Sequence, residues 1–130
     1  MIIETSAIVV ILREEPERRS FVGAIERAAS RRMSAASYVE AAIVTDANRQ
    51  PLLSRRLDDL VQRFRVIIEP VTEEQTRIAR QAYRDFGKGS GHPAQLNFGD
   101  CFAYALAKVT GEPLLFKGDD FIHTDLAPAT

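Results

Sequence analysis

The 130-residue chain reads as an α/β protein. It is expected to form a three-layer α/β/α sandwich on a short, mainly parallel sheet of about four strands. Two patterns predict this. Short unbroken apolar runs, Ile2-Ile3, Val66-Ile67-Ile68 and Leu114-Leu115-Phe116, suit strands covered on both faces, as parallel strands are. Between them lie segments with apolar residues at helical spacing, and strand twist makes the crossovers through them right-handed. No repeat, low-complexity tract or linker divides the sequence, so residues 1–130 are expected to form a single domain.

Each element has its own signal. Residues 1–4 are a short β-prone run, and Thr5-Ser6 are expected to cap an apolar helix over 7–12. Arg13-Glu14-Glu15-Pro16 interrupts it, and Pro16 opens a second helix with Phe21, Val22, Ile25, Ala28 and Ala29 on its apolar positions. Residues 32–34 form a weak second strand, and a third helix spans about 36–48. Pro51 starts a fourth helix, with Leu53, Leu57, Leu60 and Phe64 spaced by helical turns. Val66-Ile67-Ile68 reads as a buried strand ended by Glu69-Pro70. Thr72 with Gln75 three residues on has capping-box spacing, and the helix it opens stops at Gly87. Residues 87–96 are a loop, 98–109 a nearly all-apolar helix ended by Thr110-Gly111, and 114–116 the last strand.

Composition narrows the function classes. Net charge is −1, so the whole chain is no electrostatic trap for nucleic acid. Arginines number 14 against 3 lysines, and arginine suits bidentate contacts to phosphate or carboxylate. Such a surface serves RNA or an acidic partner, and also suits ordinary solvated helices. No run reaches the roughly 20 apolar residues of a membrane span, and the N-terminus has no signal-peptide pattern. Cys101 stands alone, which excludes an internal disulfide and paired-cysteine zinc sites. The expected compartment is the cytoplasm.

Several carboxylates break the local pattern. Glu4 ends the first apolar strand, Asp100 opens the apolar helix, and Asp119-Asp120 follow the last strand. Glu40 lies within Ala-Ala-Ser-Tyr-Val-Glu-Ala-Ala-Ile-Val, with no Lys or Arg within a turn. Positions 36, 40, 43 and 47 share a helical stripe, so Glu40 is expected on the buried face. A buried carboxylate is costly unless paired or metal-bound. Parallel strands deliver their C-termini to one edge, where ligands bind. Carboxylates sharing one pocket repel and protonate unless a cation is present, and oxygen-only ligands favour Mg²⁺ or Mn²⁺. Each acid also has a local explanation. Asp100 follows the N-cap candidate Asn97 and suits the helix dipole, Asp119 and Asp120 are common turn residues, and Glu4 is open to pairing with a distant arginine.

The segments Ile2-Ile3-Glu4-Thr5-Ser6-Ala7, Ser-Tyr-Val-Glu40, Leu96-Asn97-Phe98-Gly99-Asp100-Cys101 and Leu114-Leu115-Phe116-Lys117-Gly118-Asp119-Asp120-Phe121, with Thr124-Asp125, resemble PIN-domain ribonucleases. More narrowly they resemble the VapC toxins of VapBC toxin–antitoxin modules. The Gly-Lys-Gly loop ahead of Asn-Phe-Gly-Asp-Cys adds to the match, which covers essentially the whole chain. The resemblance implies RNA phosphodiester cleavage with Mg²⁺ or Mn²⁺, at catalytic Glu4, Glu40, Asp100 and Asp120. Of these, Glu4, Asp100 and Asp120 would bind metal. Thr5, Ser6, Asn97 and Asp119 would support them, Asp119 also being the alternative fourth acid. Lys117 is a candidate for holding RNA, and transfer RNA is one substrate the resemblance suggests. The resemblance further implies a homodimer and a VapB-type antitoxin whose arginine enters the acidic pocket. The family's first acid is usually aspartate. Glutamate at position 4 displaces the carboxylate by about 1 Å, and misplacement on that scale can cost ~10²-fold in rate. A PIN fold that binds RNA or antitoxin but cleaves weakly is therefore the competing reading.

Other features carry less. Arg77, Arg80 and Arg84 share a helical face with Lys88 just beyond, either a phosphate-tracking stripe or a solvated face. His92, His123 and Cys101 read as incidental. A phosphoacceptor signalling domain would need its aspartate at the end of a central strand, whereas Asp100 opens a helix.

Overall fold

The computed structural model describes residues 1–47, Arg49 and 51–130. Four strands form one all-parallel sheet: β1 (Ile2–Ile3), β2 (Arg32–Ser34), β3 (Ile67–Glu69) and β4 (Leu114–Leu115), in the order β3-β2-β1-β4. The helices among the described residues are α1 (Thr5–Leu12), α2 (Arg18–Arg27), α3 (Ala35–Ala47), α4 (Pro51–Arg63), α5 (Glu73–Phe86) and α6 (Phe98–Thr110). Strand alternation sorts them into layers. Ile3 and Leu115 join the core formed with α1, α2, α3 and α4, while Ile2 and Leu114 join that of α5 and α6. The expected α/β/α sandwich is what forms.

Several local expectations are corrected. Glu4 itself, rather than Thr5-Ser6, caps α1, because its longer side chain folds back to accept the Ser6 N–H. The second helix begins at Arg18, two residues past Pro16. The end of the third helix was expected at Asn48, which lies outside the described residues. The third strand is an edge strand, not a buried one: Ile67 is 50% exposed, and β2 is its only sheet neighbour among the described residues. The opposite edge strand, β4, is covered by the tail, with Leu114 N–H on Ala127 O at 2.9 Å and Ala129 N–H on Leu114 O at 2.8 Å.

Candidate active site

Glu4 leaves β1 at the C-terminal edge of the sheet. Its backbone N–H bonds Leu115 O at 3.0 Å, so β1 and β4 share their last ladder contact there. The side chain is almost fully buried, its Oε2 accepting the Ser6 N–H at 2.7 Å and the Ser6 hydroxyl. Ser6 Oγ also accepts the Lys117 N–H at 2.9 Å. One hydroxyl thus ties Glu4 to the turn that carries Asp120. The Thr5 hydroxyl points elsewhere, donating to Ser37 O at 3.1 Å and locking α1 to α3.

Asp100 sits in the first turn of α6 in a reciprocal capping box. The Asn97 side chain accepts the Asp100 N–H and Asp100 Oδ2 accepts the Asn97 N–H, both at 2.9 Å. The local explanation of Asp100 is therefore correct, and it coexists with a place in the cleft. Asp120 lies in the turn after β4 and is exposed on the cleft side. Phe121 beside it is buried against Phe116, ring centroids 5.2 Å apart, and anchors that turn. Asp119 is exposed and does not line the cleft.

Glu40 departs from the expected placement. The buried residues of α3 are Ser37, Ala41 and Thr45, whereas Ile43, on the Glu40 stripe, is 62% exposed. The helix packs through its small side chains, and its Ala-rich sequence is too evenly apolar for periodicity to single out the buried face. Glu40 is half-buried, and its carboxylate lies on the α6 backbone at Gly99. A Cβ at Gly99 would stand 2.8 Å from Glu40 Cδ and 2.9 Å from Oε1. Only glycine leaves room for this carboxylate beside Asp100. Gly99 is a site residue that the sequence reading missed.

Glu4, Glu40, Asp100 and Asp120 thus line one cleft of about 510 Å³, with Ser6, Asn97, Arg13 and Lys117 on its walls. Their charges interact. Burial, opposed by the Ser6 hydrogen bonds and reinforced by Glu40, raises the Glu4 carboxyl above its ordinary range. Asp100 is pushed up to about 7, chiefly by burial, and further by Glu4, Asp120 and Glu40. Among the described residues no cation pairs with any of the four. Lys117, expected to hold RNA, has its ammonium on Glu15 at 2.5 Å and Glu17 at 3.3 Å at the wall of the cleft. Arg13, which the sequence reading passed over as a helix interruption, lines the cleft with no carboxylate partner among the described residues.

The donor set is all oxygen, partly desolvated and uncompensated in charge, which suits a hard divalent cation. Among the described residues no set of three or more His, Cys, Asp or Glu side chains is already arranged to hold a metal ion; ligation would require the carboxylates to converge. Other chemistries find no support. Burial and the Asp100 charge push the Cys101 thiol up to about 11, and His92 Nδ1 accepts the Ala94 N–H at 3.1 Å in a loop contact. Asp100 on a helix and Asp120 after an edge strand do not meet the phosphoacceptor requirement.

Comparison with known proteins shows the family. The family model described as PIN domain matches residues 1–126. Ribonuclease VapC28 of Mycobacterium tuberculosis (strain ATCC 25618 / H37Rv) is 55% identical over 99% of this chain and 97% of its own length. Ribonuclease VapC42 of the same strain is 51% identical over 99% of this chain and 98% of its own. Ribonuclease VapC30 is 49% identical over 98% and 96%. The crystal structure of M. tuberculosis VapC20, described as a Sarcin-Ricin loop cleaving toxin, superposes with a TM-score of 0.74. It covers 97% of this chain and 95% of that one at 12% identity, a likeness of fold. The chain belongs to the PIN-domain family and, within it, to the VapC ribonucleases, the toxins of toxin–antitoxin systems.

Proposed function

We propose that Glu4, Glu40, Asp100 and Asp120 are the catalytic carboxylates of this ribonuclease, and that Glu4, Asp100 and Asp120 hold Mg²⁺ or Mn²⁺. The observation that supports this best is the shared cleft of the four carboxylates, where Asp100 is raised by burial and by the other three acids and has no ion-pair partner among the described residues. When bound, a divalent ion supplies the charge that offsets the scissile phosphate and acidifies water for in-line attack. The protein's own groups do the positioning. Ser6 fixes the Glu4 carboxylate and Asn97 that of Asp100. Glu40 has no hydrogen-bond partner among the described residues and stands half-open on Gly99, which suits it to take a proton from the attacking water. Asp119 has no part in this reading.

The test is cleavage of purified structured RNAs, transfer RNA among them, with and without Mn²⁺. Cleavage is expected only with the ion, and not in Glu40→Gln or Asp100→Asn. Cleavage surviving in those variants would remove the assignment. One observation favours weakened activity. The extra methylene of Glu4 is spent on folding back to Ser6, so Glu4→Asp would then raise the rate sharply.

The partner reading is a VapB-type antitoxin. A groove of about 690 Å³ between α1, α2 and α4, lined by Ile11, Leu12, Val22, Leu60 and Phe64 and rimmed by Arg18, Arg56 and Arg63, would seat it. An antitoxin arginine would supply the cation that the acids lack. Exposed Val39 and Ile43 on α3 support a homodimer, and an RNA substrate would suit a cytoplasmic protein. No described helix is long and apolar enough to cross a membrane.

A further inference from the structure

Beside the acidic cleft, around the first turn of α6, lies a second concavity of different chemistry. It measures about 240 Å³ and is lined by Ala79, Arg80 and Tyr83 of α5 and by Phe98, Cys101 and Phe102 of α6. Its aromatic walls are held in place. The Phe98 and Phe102 rings meet edge to face, centroids 5.0 Å apart. The Tyr83 ring lies against the backbone at Gly87, where a Cβ would stand 2.8 Å from its Cγ. Leu96 N–H on Phe86 O at 2.8 Å and Lys88 N–H on Leu96 O at 2.9 Å clamp the end of α5 to the start of α6. Phe98 is nevertheless 77% exposed, so beyond its edge contact with Phe102 most of its surface is open to solvent.

Two neighbours indicate what the ring meets. Gly99, the next residue, carries Glu40, and Asp100 follows it in the cleft. Phe98 therefore shares the first turn of α6 with Asp100 and adjoins the Gly99 backbone on which Glu40 rests. On the α5 side, Arg80 lines the pocket, and Arg80, Arg84 and Lys88 have no carboxylate partner among the described residues. An apolar, aromatic slot with Arg80 on its wall matches a nucleotide, with a π-face to stack and a phosphate to neutralise.

We propose that Phe98, with Tyr83 and Phe102, forms a base-stacking subsite for a nucleotide flanking the scissile phosphate, and that Arg80 contacts its backbone. The proposal rests on the four acids being the cleavage site, which places that phosphate beside Gly99. Stacking tolerates any base, so the subsite contributes affinity and register more than sequence choice.

The test uses single-stranded oligoribonucleotides carrying 2-aminopurine at successive positions, bound to the full chain in an Asp100→Asn background. Fluorescence is expected to be quenched at one position. Phe98→Ala is expected to abolish that quench and weaken binding about tenfold, Phe98→Trp to restore both, and Arg80→Ala to lower the salt dependence of binding. Phe98 is exposed, so the alanine variant is expected to keep the parent's circular dichroism. Unchanged quench and affinity in Phe98→Ala would overturn the proposal. So would a shift in oligomeric state by sedimentation with RNA affinity intact, since the ring would then cover a second copy. A quench that persists while Asp100→Asn still cleaves would instead overturn the acid-site reading and leave the stacking surface standing.

Discussion

At the scale of the residue, Asp100 shows how one side chain serves structure and chemistry together. Its backbone and carboxylate close the α6 capping box, which alone would stabilise the helix by ~1 kcal/mol. The same carboxylate is buried among three others and holds its proton up to about pH 7. A carboxyl whose folded-state pKa stands above its ordinary value favours folding while protonated. That contribution is complete below the ordinary pKa and is lost as pH rises through about 7. Metal-free protein is therefore expected to lose stability over this window. Asp100→Asn keeps the cap geometry without the charge. It is expected to be more stable than the parent by ~1–3 kcal/mol at about pH 8 and no more stable near pH 4. Denaturant unfolding at the two pH values checks this, and equal stabilities at the higher pH would contradict it. Mn²⁺ competes with the same proton, so its affinity, read by titration calorimetry, is expected to fall as pH drops below about 7.

At the scale of the element, the site depends on α3 crossing the start of α6 closely enough for Glu40 to rest on Gly99. Replacing a helical glycine by alanine ordinarily stabilises by up to ~1 kcal/mol. At Gly99 the new methyl meets only the far end of a flexible, half-open side chain, which can swing away. Gly99→Ala is expected to leave the melting temperature level or slightly raised while cutting kcat at least tenfold, since misplacement by ~1 Å can cost ~10²-fold. Loss of rate together with a large loss of stability would place Gly99 in packing instead. Gly99 also marks where sequence reading stops. The strands at 2–3 and 114–115 were legible from short apolar runs, that at 32–34 (Arg-Met-Ser) only weakly, and the acids from their apolar surroundings. The clearance at Gly99 arises only when two helices 50 or more residues apart in the chain cross, and no local pattern records it. The buried side of α3 was illegible because alanine suits either face, and β3 looked buried because a run of three apolar residues says nothing about its sheet neighbours. The ion pairs of Lys117 with Glu15 and Glu17 were not legible because the partners come from another part of the chain.

At the scale of the whole molecule, the parallel sheet delivers Glu4 and the Asp120 turn to one edge, while the N-terminal turn of α6 and the flank of α3 close the cleft from both helical layers. The tail lies on the outer edge of the same sheet. Its two backbone hydrogen bonds to Leu114 cover β4, an edge that would otherwise be open to pairing with another chain. The Asp120 turn does not hang on that tail. Phe121 anchors it in the α5–α6 core, and Asp125 is held by the Tyr104 hydroxyl and Lys108 Nζ, each at 2.7 Å. Cover and catalysis should therefore separate. Deleting residues 127–130 is expected to cost ~1–3 kcal/mol, the loss of two hydrogen bonds and some apolar burial, and to increase aggregation on heating. The rate per folded molecule should stay within about twofold of the parent, because none of the four acids moves. Phe121→Ala should do the opposite to that balance, losing ~3–5 kcal/mol as a buried phenyl is removed and losing most of the rate at temperatures where the protein remains folded. Urea unfolding and RNA cleavage measured side by side on the two variants decide the matter. If the truncation alone abolishes cleavage in protein that is still folded, the tail positions Asp120, and the edge of the sheet and the active site form one unit.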